Sequence, residues 1–365
     1  MKIEIPLRWK EAFGLTRIED IAKKLEVSKS TVSKALNGAP DVSETLRKTV
    51  LETAVELGYS RSTRKRGAKQ LCIFIKNMAY DSPSDFGHDI IIGFRKMAEP
   101  AGFIVAIEEL DDHLQKHNQY DEYMLQRNYV GALFLGLSLS DEWLHQLRTS
   151  QTPAVLLDNY VKANPNVAYI GVDNSEGMNL TVSYLKGLGH RKIGYLSGAL
   201  GSYINQIRYS AFFHALRKYG LSDDPALGGN AYLFSECLQK HLPRLLKQGV
   251  TAIVCSHDLL AHTVMIYCQE LGLRVPEDIS IVGFDDLPLC SYTIPPMTTV
   301  QQNRTEIGRS AFYALSSLMA GTPISTLLLH AQLMKRQSTA VVPEIPPVKK
   351  LMVSHNAFSI SDEKI

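Results

Sequence analysis

Residues 18–38 read IEDIAKKLEVSKSTVSKALNG, and their apolar spacing dictates two short helices joined by a tight turn. Ile18, Ile21, Ala22 and Leu25 stand at i, i+3, i+4 and i+7, one face of a first helix. After Glu26-Val27, Ser28 is placed to cap a second helix from Lys29 to Leu36, which buries Val32, Ala35 and Leu36 and is stopped by Asn37-Gly38. Further on, Ser43 opens a third helix whose stripe is Leu46, Val50, Ala54 and Leu57, ended by Gly58. Three helices with so short a turn between the first two make a helix-turn-helix, residues 16–60.

The run TRIEDIAKKLEVSKSTVSKALNGAPDVSETLRKTVLETAVELGY, 16–59, resembles the DNA-binding head of the lactose-repressor and galactose-repressor family. It matches the I-x-D-[IV]-A, V-S-x-x-T-V-S and L-N-G pieces and the third-helix pattern ending in L-G-Y. The resemblance implies that Lys29, Ser30 and Lys34 enter the major groove. Their chemistry suits it, since Lys donates to guanine O6 and N7 and Ser serves any base edge. Ser28, Thr31, Ser33 and Asn37 are the candidates for phosphate contacts, which set register. The bland alternative is a solvated polar face.

Charge is divided accordingly. Residues 1–70 carry 15 basic and 9 acidic side chains, residues 71–365 carry 24 and 28. A basic head on a mildly acidic body is the footprint of nucleic-acid binding. Five scattered cysteines with no C-x-x-C spacing read as buried, reduced thiols of a cytoplasmic protein. No run approaches the roughly 20 apolar residues of a membrane helix, and residues 1–15 are no secretory signal; they receive no assignment.

A connector, 61–70, holds Arg61, Arg64, Lys65, Arg66 and Lys69 without an acid. Family linkers usually read Y-x-P-N-x-x-A-R-x-L and wedge the leucine between base steps. Here Arg61 replaces Pro, Ser62 replaces Asn, and Ala68 stands where the leucine should be, beside Gly67. Two readings stay open: Arg61, Arg64 and Arg66 enter a narrow minor groove, or the segment is a flexible basic linker.

From Leu71 the pattern changes to short apolar runs alternating with amphipathic helices: 71–75, 103–107, 132–136, 154–157, 167–172, 192–198, 251–255 and 279–284. This predicts a parallel α/β body, 71–342, in two doubly wound lobes. The fold class is therefore an all-α helix-turn-helix head plus an α/β body. Asp158-Asn159, Asp173-Asn174, Asp258 and Asp285-Asp286 stand just past strand ends, where open sheets bind ligands. With Arg208 they suit a polyhydroxylated ligand; the alternative is that each caps the following helix.

The resemblance continues through VDNSEG (172–177), LGHRKIGYLSG (188–198), SHDLLA (256–261), VPEDISIVGFDD (275–286), TIPPMTTVQQ (293–302) and KRQST (335–339). It implies lobes of periplasmic-binding-protein type, lobe 1 about 71–171 and 303–325, lobe 2 about 172–302 and 326–342. It implies effector contacts from Asp173, Arg208, Asp258 and Asp285, with the Ser84-Asp85-Phe86 loop as the opposite wall. His257 replaces the family's Asn, and Ala211 its Gly. Residues 343–365, with Pro343, Pro346 and Pro347 and no leucine heptads, read as a tail without a tetramerising coiled coil.

The expected molecule is a homodimeric repressor of a pseudo-palindromic operator, controlled by a small effector, a sugar ahead of a purine-type corepressor. A solute-binding protein would need no basic head. An enzyme is suggested only by Cys255-Ser256-His257-Asp258, but neighbours along one strand end cannot converge as a triad. No Walker loop, G-x-G-x-x-G, H-E-x-x-H or zinc spacing is present, so neither cofactor nor metal is expected.

Overall fold

A computed structural model describes residues 16–59, 69–345 and 347. The extension 1–15, the connector arginines Arg61, Arg64 and Arg66 and the tail past Pro347 lie outside the described residues.

The head has α1 (Ile18–Lys24), α2 (Lys29–Leu36) and α3 (Glu44–Glu56). Side-chain caps fix its helix starts: Asp20 accepts from the Arg17 amide at 2.7 Å, Ser28 Oγ from Thr31 N at 3.0 Å, and Ser43 Oγ from Leu46 N at 3.3 Å. Glu26 makes the turn between α1 and α2 at a φ of 54°. Ile21, Val32, Val50 and Ala54 are fully enclosed in one small core, which includes every residue of the predicted stripes.

Behind it stand two six-stranded sheets. The first has the order β11-β5-β4-β3-β1-β2, all parallel, from β1 (Lys69–Ile75), β2 (Phe103–Glu109), β3 (Tyr129–Leu135), β4 (Ala154–Leu157), β5 (Val167–Val172) and β11 (Thr326–Leu329). The second has the order β12-β10-β9-β8-β6-β7, from β6 (Ile193–Ser197), β7 (Gly228–Asn230), β8 (Ala252–Cys255), β9 (Ser280–Asp285), β10 (Thr298–Gln301) and β12 (Gln332–Met334), with only β12 antiparallel. Every predicted apolar run is a strand; all but β2, an edge strand with Ile104 exposed, are buried on both faces, as the interior of a parallel sheet requires.

Helices cover both faces. Lobe 1 carries α4 (Phe86–Ala98), α5 (Asp112–His117), α6 (Tyr120–Arg127) and α7 (Glu142–Gln146); lobe 2 carries α8 (Asn174–Gly187), α9 (Tyr203–Lys218), α10 (Phe234–Glu236), α11 (Leu242–Lys247) and α12 (Asp258–Glu270). Helix α13 (Arg304–Met319) returns to lobe 1 and lies against α4. Glycines permit that approach: a Cβ on Gly308 would stand 2.0 Å from the Ile90 carbonyl oxygen, one on Gly93 2.1 Å from that of Thr305. Residues of β1 alternate between two cores, Leu71, Ile73 and Ile75 towards α4 and α13, Cys72 and Phe74 towards a cluster with Tyr120, Phe134 and Trp143.

Two boundaries differ from the expectation. β1 begins at Lys69, inside the predicted connector, because Lys69 and Gln70 already pair with Phe103 and Ile104. The last return to lobe 2 follows Leu329 instead of 325, because Thr326–Leu329 pairs with Tyr169–Val172 of β5. Among the described residues no helix is long and apolar enough to cross a membrane.

Candidate functional site

The first surface is α2. Ser28, Lys29, Ser30, Lys34 and Asn37 are exposed, while Thr31 and Ser33 are half-buried beside them. Ser28 and Thr31 hydroxyls are 2.8 Å apart, and Asn37 Nδ2 donates to the Ser33 carbonyl at 2.7 Å, so the small polar groups already define the helix ends. Lys29 pairs with Glu19 at 2.9 Å and Lys34 with Asp41. These pairs are open to water and weak, so phosphates or base edges can take the ammonium groups.

The second site lies between the lobes, at the carboxyl ends of β4, β5, β6, β8 and β9. Arg208, on α9, is buried at its centre. Its Nε donates to Asn174 Oδ1 at 2.9 Å, its Nη1 to the Ser256 carbonyl at 2.6 Å and to Asp285 Oδ1 at 3.3 Å, and its guanidinium carbon lies 3.9 Å from the Phe284 ring centroid. Gln302 Nε2 donates to the same Asp285 oxygen at 2.7 Å. Burial pushes the Asp285 carboxyl up, and Arg208 opposes that shift.

Asp158 faces this group from lobe 1. Its Oδ1 is buried with no hydrogen-bond partner, and burial, reinforced by the Asp285 charge, pushes its carboxyl up to about 6 against the pull of Arg208. Asp158 and Asp285 hold positive φ values of 52° and 121°. Such strained non-glycine backbones mark positions whose geometry the surroundings impose, often for function. Gly171 leaves the room, since a Cβ there would stand 2.8 Å from Tyr169 Oη and 3.0 Å from Asp158 Oδ1.

Sequence reasoning missed the rings. Tyr203 lies near-parallel to Tyr160 at 6.4 Å between centroids and edge-on to Tyr169 at 6.1 Å. Phe234 is 5.2 Å from the His257 ring. Tyr160 just past β4 and Tyr203 and Phe234 at helix starts carried the available signal, whereas Tyr169, inside the apolar run of β5, reads as core.

The other expected contacts divide. His257 caps α12, its Nδ1 accepting from Leu260 N at 3.2 Å, and burial followed by the Arg208 charge lowers its pKa to about 4. Asp173 caps α8 by accepting from Glu176 N at 3.0 Å, the alternative weighed for such positions. Asp258 is a correction: it is fully enclosed, with Oδ2 accepting from Leu287 N at 2.8 Å and Oδ1 from Thr299 Oγ1 at 2.6 Å, so its oxygens tie the loop after β9 and the strand β10 instead of facing the cleft. In the Ser84-Asp85-Phe86 loop, Asp85 accepts from Ser82 N at 2.9 Å, Ser84 is exposed, and Phe86 packs on the lobe core.

Cys255, Ser256, His257 and Asp258 point apart. Cys255 is buried, Ser256 Oγ accepts from Gly198 N at 3.3 Å, and Asp258 turns to Thr299, so no nucleophile meets a base. Among the described residues no group of three His, Cys, Asp or Glu could hold a metal.

Residues 17–62 match the family described as bacterial regulatory proteins, lacI family, and residues 182–339 match the periplasmic binding protein-like domain. The HTH-type transcriptional repressor PurR of Aliivibrio salmonicida is 30% identical over 302 residues, 81% of this chain and 90% of that one. The transcriptional regulator CelR–cellobiose complex superposes with a TM-score of 0.64 at 25% identity, covering 88% of this chain and 99% of that one. The lac repressor dimer bound to operator and the anti-inducer ONPF does so with a TM-score of 0.60 at 26% identity, covering 90% and 100%.

Proposed function

The chain belongs to the lacI family of bacterial regulatory proteins, and from that premise we propose that a sugar held between its lobes sets its grip on operator DNA. It is a transcriptional regulator with an effector-binding domain, not an enzyme. The observation that carries the sugar reading is the pairing of an orphaned carboxylate oxygen, Asp158 Oδ1, with the buried Arg208–Asp285 group and a wall of Tyr160, Tyr169 and Tyr203. Hydroxyl hydrogens satisfy such carboxylates, and the apolar face of a pyranose packs on rings. Two carboxylates against one guanidinium disfavour a phosphorylated ligand. The cellobiose of the CelR neighbour is in keeping with this.

On DNA, Lys29, Ser30 and Lys34 are assigned to base edges and Ser28, Thr31, Ser33 and Asn37 to phosphates, with Arg61, Arg64 and Arg66 following the backbone or minor groove. A homodimer would set two heads on two half-sites, in keeping with the neighbouring lac repressor, a dimer bound to operator. A ligand changes DNA affinity only by preferring one lobe arrangement.

A purine-type corepressor is the second reading, favoured by the near-parallel Tyr160 and Tyr203 rings, which suit a flat heteroaromatic. A thermal-shift screen of sugars, phosphosugars and nucleobases, followed by operator titration with each hit, separates the two. Hits confined to nucleobases would replace the sugar reading, and Asp285→Asn leaving every hit's affinity intact would displace the site itself.

A further inference from the structure

The head does not stand apart from the body: α3 lies against α6 of lobe 1. Leu125, on the outer side of α6, packs on the head's own core with Leu57 and Tyr59, so a residue of the body completes the apolar cluster of the reader. The seam is close elsewhere too. A Cβ on Gly58 would touch Gln151 Oε1 at 3.4 Å, and Val55, Gly58 and Tyr59 enclose a cavity of ≈ 200 Å³ with Met124, Asn128 and Thr152. Glu122 of α6 meets Glu52 and Lys48 of α3 there, and burial followed by the Glu52 charge holds its carboxyl above its ordinary value.

The body side of this seam is tied into lobe 1. Asp121 accepts from the Gln151 and Thr152 amides at 3.0 and 2.9 Å, joining α6 to the loop before β4. On its inner side Tyr120, Tyr123 and Met124 are buried in the aromatic core around Phe74 and Trp143. α6 ends at Asn128, in the left-handed region at φ 62°, and the chain runs directly into β3. β3 then spans about 20 Å from the seam to the cleft end of its sheet, at roughly 3.3 Å per residue.

We propose that α6 and the loop 151–153 are a seat for this chain's own DNA-reading head, through which lobe 1 carries the head by direct packing in addition to the covalent connector. The seated head keeps Lys29, Ser30 and Lys34 exposed, so the seat mounts the reading helix without covering it. Any tilt of lobe 1 about the cleft then turns α2 as a unit with β3. The seat exists independently of which effector binds and of the operator sequence.

Hydrogen exchange on the full chain, without DNA or ligand, tests this, because packing against the seat protects α3 beyond what three short helices provide alone. Leu125→Asp sets a carboxylate in the apolar seam and is expected to speed exchange in residues 44–59 about tenfold or more while β1 and β3 keep their protection. Glu122→Lys replaces a like-charge meeting with Glu52 by an attraction and is expected to slow exchange in the same residues. Wild-type exchange of residues 44–59 in Leu125→Asp with an intact body overturns the seat. Should Leu125→Asp unfold lobe 1, unchanged or faster exchange in Glu122→Lys overturns it instead.

Discussion

Arg208 Nη1 donates to Asp285 Oδ1 at 3.3 Å in the middle of the molecule, with 4% of one side chain and 12% of the other exposed. A pair so enclosed contributes little net stability as an ion pair but makes each partner dependent on the other. The cleft is thus held in a charged state that only mutual neutralisation permits.

Removing one partner exposes that dependence. Arg208→Met is expected to cost about 3–5 kcal/mol at pH 7, because Asp285 is left as an uncompensated buried carboxylate. Burial already raises the Asp285 pKa against the opposing guanidinium, so the variant raises it further, and the loss shrinks as falling pH protonates the group. Urea denaturation at pH 7 and pH 5 checks this. An equal loss at both values would mean that packing on Phe284, and not charge, is what Arg208 supplies.

Asp158 gives the opposite result. Its folded pKa of about 6 lies above the ordinary value, so the folded state binds more protons than the unfolded one between about 4 and 6, and stability present below that window is lost as pH rises through it. Asp158→Asn mimics the protonated form. In the ligand-free protein it should raise stability by about 2–3 kcal/mol at pH 7, with the gain fading below pH 6 and gone by about pH 3, while weakening effector binding. A variant less stable than wild type at pH 7 would show that Oδ1 already has a partner in solution.

Seven of the eight apolar runs were legible because a parallel strand covered on both faces has to be apolar at every position, and β2, an edge strand, because its run FIVAI is apolar throughout although Ile104 is exposed. β7 (Gly-Gly-Asn), β11 and β12 are edge strands, short and partly exposed, and β10 buries Thr298 and Thr299; none carries that signal. At the site, strand ends located the aspartates but could not say which way each turns. Asp158 and Asp258 look alike in sequence, yet Thr299, 41 residues from Asp258, decides that one is tied inward and the other is orphaned. Tyr160, Tyr169 and Tyr203 converge from separate segments, so no local pattern announces a wall.

On α2, Lys29 is proposed to meet a base edge and Ser28 a phosphate. Lys29→Ala is expected to cost about 1–3 kcal/mol on the preferred operator and to relax preference at one base pair, whereas a phosphate contact would weaken all sequences evenly and lower the salt slope by about 1. Titrating a set of single-base operator variants at three salt concentrations distinguishes the outcomes. Uniform weakening with a reduced slope would move Lys29 to the backbone class.

His257 concerns which ligand atoms one corner accepts. Leu260 N donates to its Nδ1, which assigns the ring proton to Nε2, so the ring nitrogen left for the proposed ligand contact is a donor and no acceptor. Asn caps a helix as well but offers both. His257→Asn should therefore leave stability at pH 7 within about 1 kcal/mol and shift the preference among screened ligands about tenfold or more, towards those with a donor at that corner. It should also remove an acid sensitivity. A folded pKa of about 4, below the ordinary value, means that the ring's neutrality stabilises the fold above about 6.5 and that this contribution is lost as pH falls towards 4. Wild type should thus lose up to about 3 kcal/mol more than the variant between pH 7 and pH 4. Parallel denaturation curves over that range would place His257 in contact with water, not in the enclosed corner beside Phe234.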